Sequence, residues 1–128
     1  MSYLADTTVL IDHIRLAGRA TDYLLGNYPA VSVVSIAELI QGAKDKRELR
    51  DIIKLKNSLK VVPITDRISR HALILIEKLF LSNHLEFLDA LIAATAIENN
   101  LTLVTANVKH FSPIKGLKLT SWKNVTIN

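Results

Sequence analysis

Three acidic residues stand in apolar surroundings at widely separated points of the chain. Asp6 lies in YLADTTVLI, Glu38 in VVSIAELI and Asp89 in EFLDALIAATA. An unpaired carboxylate is expensive to bury, so such a group is normally neutralised or finds a partner. Carboxylate oxygens are the ligands that hard divalent cations such as Mg²⁺ and Mn²⁺ prefer. We therefore predict that folding gathers the three acids around a shared divalent ion.

Each acid also has an ordinary structural interpretation. Asp6 can cap a helix that follows a strand, because Asp favours that position. Glu38 can lie on the solvated side of a helix, and Asp89 can be stabilised by a helix dipole in a first turn. The joint occurrence of the three acids favours a metal site over these separate explanations.

Other metal chemistry has less support. The chain contains no cysteine, which excludes disulfides and thiolate metal sites. Its four histidines show no close paired spacing, so a zinc hydrolase is not expected.

An alternation of strand and helix patterns is predicted to position the acids. Strands are predicted at residues 2–5, 30–35, 60–64, 101–105 and 117–122. Helices are predicted at residues 8–18, 19–27, 36–42, 46–60, 67–81 and 86–99, with Ser35 and Asp66 as caps and residues 106–111 as a loop. The order predicts one α/β domain over residues 1–128, with a central, mainly parallel sheet of about five strands flanked by helices.

Parallel sheets carry their sites at the carboxyl ends of their strands. Asp6 directly follows the first predicted strand, and Glu38 lies one turn into the helix after the second. Asp89 lies in the helix before the fourth strand, which is followed by Asn107. Acids that are distant in sequence can therefore meet in one crevice.

Basic residues flank an acidic centre. Residues 44–60 hold seven basic and three acidic side chains, and four lysines but no acid follow Glu98. The pattern suits a polyanion that is gripped by the flanks. Charge runs are also commonly solvated helix faces, and charge alone leaves both interpretations open.

The length of 128 residues and the 49% hydrophobic content fit one domain with a substantial core. No apolar run approaches the roughly 18 residues of a membrane span. The N-terminus lacks the layout of a secretion signal. We expect a cytoplasmic protein with no membrane partner.

Four blocks resemble, in order, the PIN-domain ribonucleases, and specifically the VapC-type toxins of toxin–antitoxin pairs. They are LADTTVLID, VSIAELIQGA, DALIAATAIENNLTLVTANVKHF and GLKLTSW, of which the third is the most specific. The resemblance covers nearly the whole chain. It implies a small α/β/α fold and cleavage of RNA with Mg²⁺ or Mn²⁺. It also implies a homodimer and a cognate antitoxin partner.

The resemblance implies that Asp6, Glu38 and Asp89 are the catalytic acids and the metal ligands. They would hold an ion that activates water for in-line attack on an RNA phosphodiester. Two positions depart from the family pattern. His110 occupies the slot of the usual fourth acid, which is expected to weaken a second metal site, and Thr8 stands where Asn is usual.

Further residues are assigned by the same comparison of motifs. Asn107 is expected to offer a neutral oxygen or to position water in catalysis. The residues expected to support the ligands are Thr8, Ser35, Thr105 and His110. Those expected to guide RNA, or to face an acidic partner, are Lys44, Lys46, Arg47 and Arg50.

Three other functions remain in competition. The missing fourth acid is compatible with a catalytically weakened RNA-binding or regulatory protein. A phosphoryl-accepting domain is disfavoured, because Ala5 precedes Asp6 and Thr8 stands where a second Asp would be needed. The helix 67–81 has more apolar residues than one face requires, which suggests an interaction surface, although burial in the core is the favoured explanation.

Overall fold

The computed structural model describes residues 2–16 and 28–121. The helix predicted over residues 19–27 and the side chain of Trp122, predicted to pack on the core, lie outside these ranges. The strands are β1 (Tyr3–Ala5), β2 (Ala30–Ser32), β3 (Lys60–Val62), β4 (Thr102–Thr105) and β5 (Leu119–Ser121). The helices of the described part are α1 (Thr7–Leu16), α2 (Val33–Gln41), α3 (Lys46–Ser58), α4 (Asp66–Asn83), α5 (Phe87–Glu98) and α6 (Val108–Phe111).

The five strands form one sheet in the order β3-β2-β1-β4-β5, and every neighbouring pair is parallel. This confirms the predicted α/β class and the parallel sheet. From β1 the chain moves outward on one side to β2 and β3, and it later returns to the other side of β1 for β4. The β1–β4 boundary is therefore the topological switch point, where sites form in such sheets.

Side-chain alternation along the strands builds a core on each face of the sheet. Leu4 and Leu103 pack with residues of α4 and α5, whereas Ala5 and Val104 pack with residues of α1, α2 and α3. Helix α5 is buried without interruption from Ala90 to Ala96 because its residues are apolar or small on every side. The acid-bearing start of α5 is therefore fixed to a rigid element.

Several predicted element bounds and helix caps are wrong. The strand predicted over 30–35 ends at Ser32, whose hydroxyl accepts a hydrogen bond from Val34 N–H and caps α2 in place of Ser35. Tertiary packing overrides the strand preference of the following valines. Thr65, not Asp66, caps α4 through its hydroxyl. The predicted loop 106–111 contains α6.

The prediction of core burial for the apolar surface of the helix 67–81 is only partly right. Ile68, Ala72 and Leu75 are buried on α4. Four other apolar side chains are exposed, namely Leu73 (55%), Ile74 (46%), Phe80 (48%) and Leu81 (91%). Leu73 and Phe80 are seven residues apart, as are Ile74 and Leu81, and positions seven apart lie on the same side of a helix. The two pairs neighbour each other, and we call the four residues the apolar stripe of α4. None of the described helices is both long and apolar enough to cross a membrane.

Candidate active site

Asp6 lies at the end of β1, directly before α1. Its backbone N–H donates to the Val104 carbonyl (2.8 Å), which fixes it against β4. Only 3% of Asp6 is exposed, and its Oδ2 accepts hydrogen bonds from Thr105 Oγ1 (2.7 Å) and Thr8 Oγ1 (2.9 Å). The Thr7 backbone N–H also donates to this carboxyl, so Asp6 contributes to the start of α1 as well. A buried acid is thus held in one orientation at the switch point.

The two threonines connect Asp6 to the loop after β4. Thr8 Oγ1 accepts a hydrogen bond from Ala106 N–H (3.1 Å), and Thr105 Oγ1 accepts one from Asn107 N–H (3.0 Å). Each hydroxyl therefore accepts a hydrogen bond from a backbone N–H and donates one to the Asp6 carboxylate. Thr8 and Thr105 therefore both contact Asp6, and their supporting role in a metal site stays a prediction.

Glu38 projects from α2, in the turn after the buried start of that helix. The Thr7 hydroxyl donates to Glu38 Oε1 across 2.9 Å. Ser35 Oγ is buried 2.9 Å from Thr7 Oγ1, so Ser35 supports Glu38 through Thr7 rather than directly. Glu38 itself is half-buried.

Asp89 lies in the first turn of α5, where the helix dipole favours a negative charge. His110 on α6 meets it, with Nε2 2.8 Å from Asp89 Oδ2. The His110 ring also packs edge-on against Phe111, which is buried in the core. The histidine in the slot of the usual fourth acid therefore contacts the third acid directly.

The electrostatics of the three acids are coupled. Burial raises the pKa of Asp6, against the lowering effect of its hydrogen bonds, and the charge of Asp89 raises it further. Burial also raises the pKa of Glu38, and the charges of Asp89, Asp6 and Glu86 add to that shift. Across residues 2–16 and 28–121, no lysine or arginine forms an ion pair with Asp6, Glu38 or Asp89. Among the described residues, the three carboxylates thus share a region in which no lysine or arginine balances their charge.

As the side chains stand, no three Asp, Glu, His or Cys groups of the described chain converge closely enough to hold a metal ion. Mutual repulsion is a physical reason for carboxylates to stand apart without a cation between them. The donor set nevertheless suits a hard divalent cation, because it consists of carboxylate oxygens.

The other predicted residues have different positions. Asn107 is exposed immediately before α6, and its side chain makes no hydrogen bond to the described residues, so its connection to the site runs through its backbone. The basic residues are all exposed at the start of α3: Lys44, Lys46, Arg47 and Arg50. A cavity of about 50 Å³ beside Glu38 is lined on α3 by Glu48 and Ile52, and none of the four basic residues lines it.

Sequence reasoning missed two residues. Thr7 is the direct hydrogen-bond partner of Glu38, and it was passed over between the two assigned residues of the ADTT run. Glu86 acts on Glu38 through its charge and precedes Asp89 by one helical turn. The spacing of three residues between two acids at a helix start was the available signal for Glu86.

Comparison with known proteins gives a family match over most of the chain. The model of the PIN domain matches residues 3–116. A protein named Ribonuclease VapC10 from Mycobacterium tuberculosis is 40% identical over 120 residues, which cover 90% of each chain. A protein named Ribonuclease VapC1 from Methanocaldococcus jannaschii is 31% identical over 123 residues, covering 91% of this chain and 85% of that protein.

Solved structures share the fold. A toxin–antitoxin complex from Klebsiella pneumoniae contains a chain with a TM-score of 0.79 and 26% identity, covering 97% of this chain and 100% of that chain. A chain of VapBC2 from Rickettsia felis, bound to a DNA fragment from its promoter, has a TM-score of 0.81 and 26% identity. The match covers 95% of this chain and 99% of that chain.

Proposed function

The chain belongs to the PIN-domain family, and on that premise we propose that it is an endoribonuclease, the toxin component of a toxin–antitoxin pair. The observation that carries the proposal is the electrostatic coupling of Asp6, Glu38 and Asp89 beside the β1–β4 boundary. A cluster of acids repels RNA by itself. A divalent cation held by these acids would instead attract the negatively charged phosphates of the RNA.

Asp6, Glu38 and Asp89 would hold that cation, Mg²⁺ or Mn²⁺. When bound, such an ion supplies Lewis-acid activation of water and stabilises the charge that develops on the phosphate. The hydroxyls of Thr7, Thr8 and Thr105 hold two of the carboxylates in orientation. The orientation of these carboxylates would matter because a reaction is faster when the reacting groups are already held in the required geometry.

Two groups of residues would act on the RNA itself. Asn107 is exposed and its backbone N–H donates to Thr105, which holds Asp6, so its side-chain amide would orient water or donate to a phosphate. The basic group Lys44, Lys46, Arg47 and Arg50 would contact the RNA backbone, since all four side chains are exposed and positively charged. Binding through these residues should weaken as salt concentration rises.

A cognate antitoxin and a second copy of the chain are the proposed protein partners. Similar chains occur in a toxin–antitoxin complex from Klebsiella pneumoniae and in VapBC2 from Rickettsia felis. The exposed apolar stripe of α4 and the exposed Phe87 and Leu88 at the start of α5 provide apolar surface for such contacts. Exposed apolar side chains of this size are available for contact with a protein partner.

Cleavage of RNA by purified protein tests the proposal. The wild-type protein should cut RNA in Mg²⁺ or Mn²⁺ and should lose that activity in EDTA. Asp6→Asn and Asp89→Asn should abolish cleavage, with folding checked by circular dichroism. Asp66→Asn is the matched control, because Asp66 is an exposed acid paired with Arg70 at 2.9 Å on α4, and it should leave the activity unchanged. Full activity of the Asp6 or Asp89 variant would refute those assignments.

The alternative is a PIN-domain protein that binds RNA and no longer cleaves it. The observation in its favour is His110 in place of an acid. It predicts RNA binding that is unaffected by EDTA and no cleavage by the wild-type protein under any divalent ion. Cleavage that EDTA stops would exclude it.

A further inference from the structure

Glu48 is an acid that interrupts the basic start of α3. Lys46 and Arg47 precede it directly, and Arg50 follows it closely. Asp45, the other acid of this stretch, has a structural role, because its side chain accepts a hydrogen bond from Glu48 N–H and caps α3. The side chain of Glu48 is only 18% exposed, so it is turned toward the protein and not out to solvent. An acid on a surface that would bind RNA therefore has a partner inside the protein.

The partner of Glu48 is Arg15, in the last turn of α1. Arg15 Nη2 lies 3.4 Å from Glu48 Oε1 and 3.5 Å from the Gly42 carbonyl oxygen. Both distances are long for a charge-assisted hydrogen bond, which is typically about 2.8 Å. The side chain of Arg15 also remains 39% exposed. The guanidinium group is thus held weakly, and an anion with better geometry would draw it away.

Arg15 lies between the basic surface of α3 and the acids. Among the described residues, it is the only basic side chain that lines the cavity of about 50 Å³ shared by Glu38 and Glu48. Gly42, whose carbonyl Arg15 approaches, donates its N–H to the Glu38 carbonyl oxygen one helical turn earlier (3.0 Å). An RNA backbone that extends from the start of α3 to Glu38 would therefore pass Arg15.

We propose that Arg15 is an RNA-binding residue whose guanidinium group is held by Glu48 in the free protein and moves to an RNA phosphate when the substrate binds. The planar fork of a guanidinium fits a phosphate as well as it fits a carboxylate, so one anion replaces the other. The inference rests on the proposed function, because it takes RNA as the ligand. It adds a substrate contact outside the basic group of α3, together with an internal carboxylate that competes with the RNA.

An ordinary ion pair that joins α1 to α3 would have different consequences. Exposed ion pairs contribute little to stability, so Arg15→Gln and Glu48→Gln would both lower the melting temperature slightly and leave RNA affinity unchanged. The proposed exchange gives the two substitutions opposite effects on RNA. Loss of Arg15 weakens binding, whereas loss of Glu48 strengthens it.

Fluorescence anisotropy of a labelled single-stranded RNA in EDTA measures binding by the full-length protein without cleavage. Arg15→Gln should bind the RNA about tenfold more weakly, because it loses a charged hydrogen bond to phosphate. The slope of log affinity against log salt concentration should become shallower by about 0.7, the value for one phosphate contact on a single strand. Arg15→Lys should keep the slope and recover part of the affinity, because lysine keeps the charge but not the fork.

Arg70→Gln is the matched control for the loss of an arginine. Arg70 is an exposed arginine on α4 that is paired with Asp66 at 2.9 Å. The control substitution removes the same charge and the same kind of ion pair, from a helix that carries none of the assigned RNA-binding residues. It should leave both the affinity and the salt slope at the wild-type values.

Glu48→Gln should bind RNA about threefold more tightly, which corresponds to the strength of an exposed ion pair. The double variant with Arg15→Gln identifies the cause. The gain should largely disappear in that variant, because the guanidinium group that Glu48 held is gone. An equal gain with and without Arg15 would show that Glu48 acts only through its charge, and would overturn the exchange.

The outcomes separate the inference from the proposed function. Wild-type affinity and salt slope in a folded Arg15→Gln variant would overturn the inference and leave the nuclease proposal standing. Weaker RNA binding by Arg15→Gln, together with no cleavage by the wild-type protein in Mg²⁺ or Mn²⁺, would support the inference and contradict the nuclease. A wild-type protein that binds no RNA would contradict both.

Discussion

At the residue scale, the central feature is a buried acid whose surroundings favour its neutral form. Asp6 is 3% exposed, and the net effect of its environment is to raise its pKa. Hydrogen bonds from two threonines compensate only part of the cost of burial. A divalent cation bound at this carboxylate would stabilise its charged form.

The raised pKa of Asp6 predicts a pH-dependent stability of the metal-free protein. The folded state binds the proton more tightly than the unfolded state, so the associated stability is present at low pH. It is lost as pH rises from the ordinary carboxyl range through the raised pKa of the folded protein. Urea unfolding in EDTA should therefore show the free energy of wild type falling relative to that of Asp6→Asn as pH increases.

Asp6→Asn removes the titrating group while keeping a side chain of nearly the same shape. The variant should be the more stable protein at neutral pH, in spite of its lost activity. A difference between the two proteins that stays constant with pH, or that grows in favour of wild type, would contradict this account.

The sequence predicted that the three acids share a divalent ion, which stays a prediction; the structure shows only that their charges act on one another, and the sequence did not indicate how they are held. The isolated acids were visible because each interrupts an apolar run. The role of Thr7 was not visible, since its contact with Glu38 joins residues 31 positions apart. Such contacts depend on how α1 and α2 pack, which no local pattern specifies.

At the element scale, the sequence predicts roughly where a helix starts, but the structure is needed to identify the residue that caps it. Asp66 was the expected cap of α4, but Thr65 accepts the hydrogen bond from Ile68 N–H (3.2 Å). Both residue types favour caps, so sequence alone does not choose between adjacent candidates. The same ambiguity moved the start of α2 from Ser35 to Ser32.

This assignment predicts different effects for two adjacent substitutions. Thr65→Ala should destabilise the protein by about 1 kcal/mol, because it removes the capping hydrogen bond of α4. Asp66→Ala should cost less, about 0.5 kcal/mol, since it removes an exposed ion pair and a favourable charge in the first turn. Chemical denaturation of both variants measures the order. A larger loss for Asp66→Ala would show that Asp66 is the effective cap.

At the scale of the whole molecule, alternation of elements predicted the α/β class and the parallel sheet. The strand order was not predicted, and it is the strand order that places β1 between β2 and β4. The exposed apolar stripe of α4 was anticipated only as the less favoured interpretation, because sequence periodicity cannot distinguish a face packed on the core from one packed on a partner. Its exposure therefore leads to a prediction about assembly.

The stripe predicts that the isolated chain forms a homodimer. Replacing Ile74 and Leu81 together by lysine should convert the dimer to a monomer, because both side chains are exposed on the same side of α4. Size-exclusion chromatography with light scattering gives the mass. Ile53→Lys, at an apolar side chain of α3 that is 39% exposed, is the control and should leave the dimer intact. A monomeric wild-type protein would rule out this assembly.

The most direct test of the central claim is the location of Mn²⁺ in crystals of the full chain, determined by anomalous diffraction. The account predicts a strong peak bonded to carboxylate oxygens of Asp6, Glu38 and Asp89, beside the carboxyl ends of β1 and β4. A well-measured map in which Mn²⁺ binds elsewhere, for example at Glu98, and leaves these three acids without an ion would contradict it.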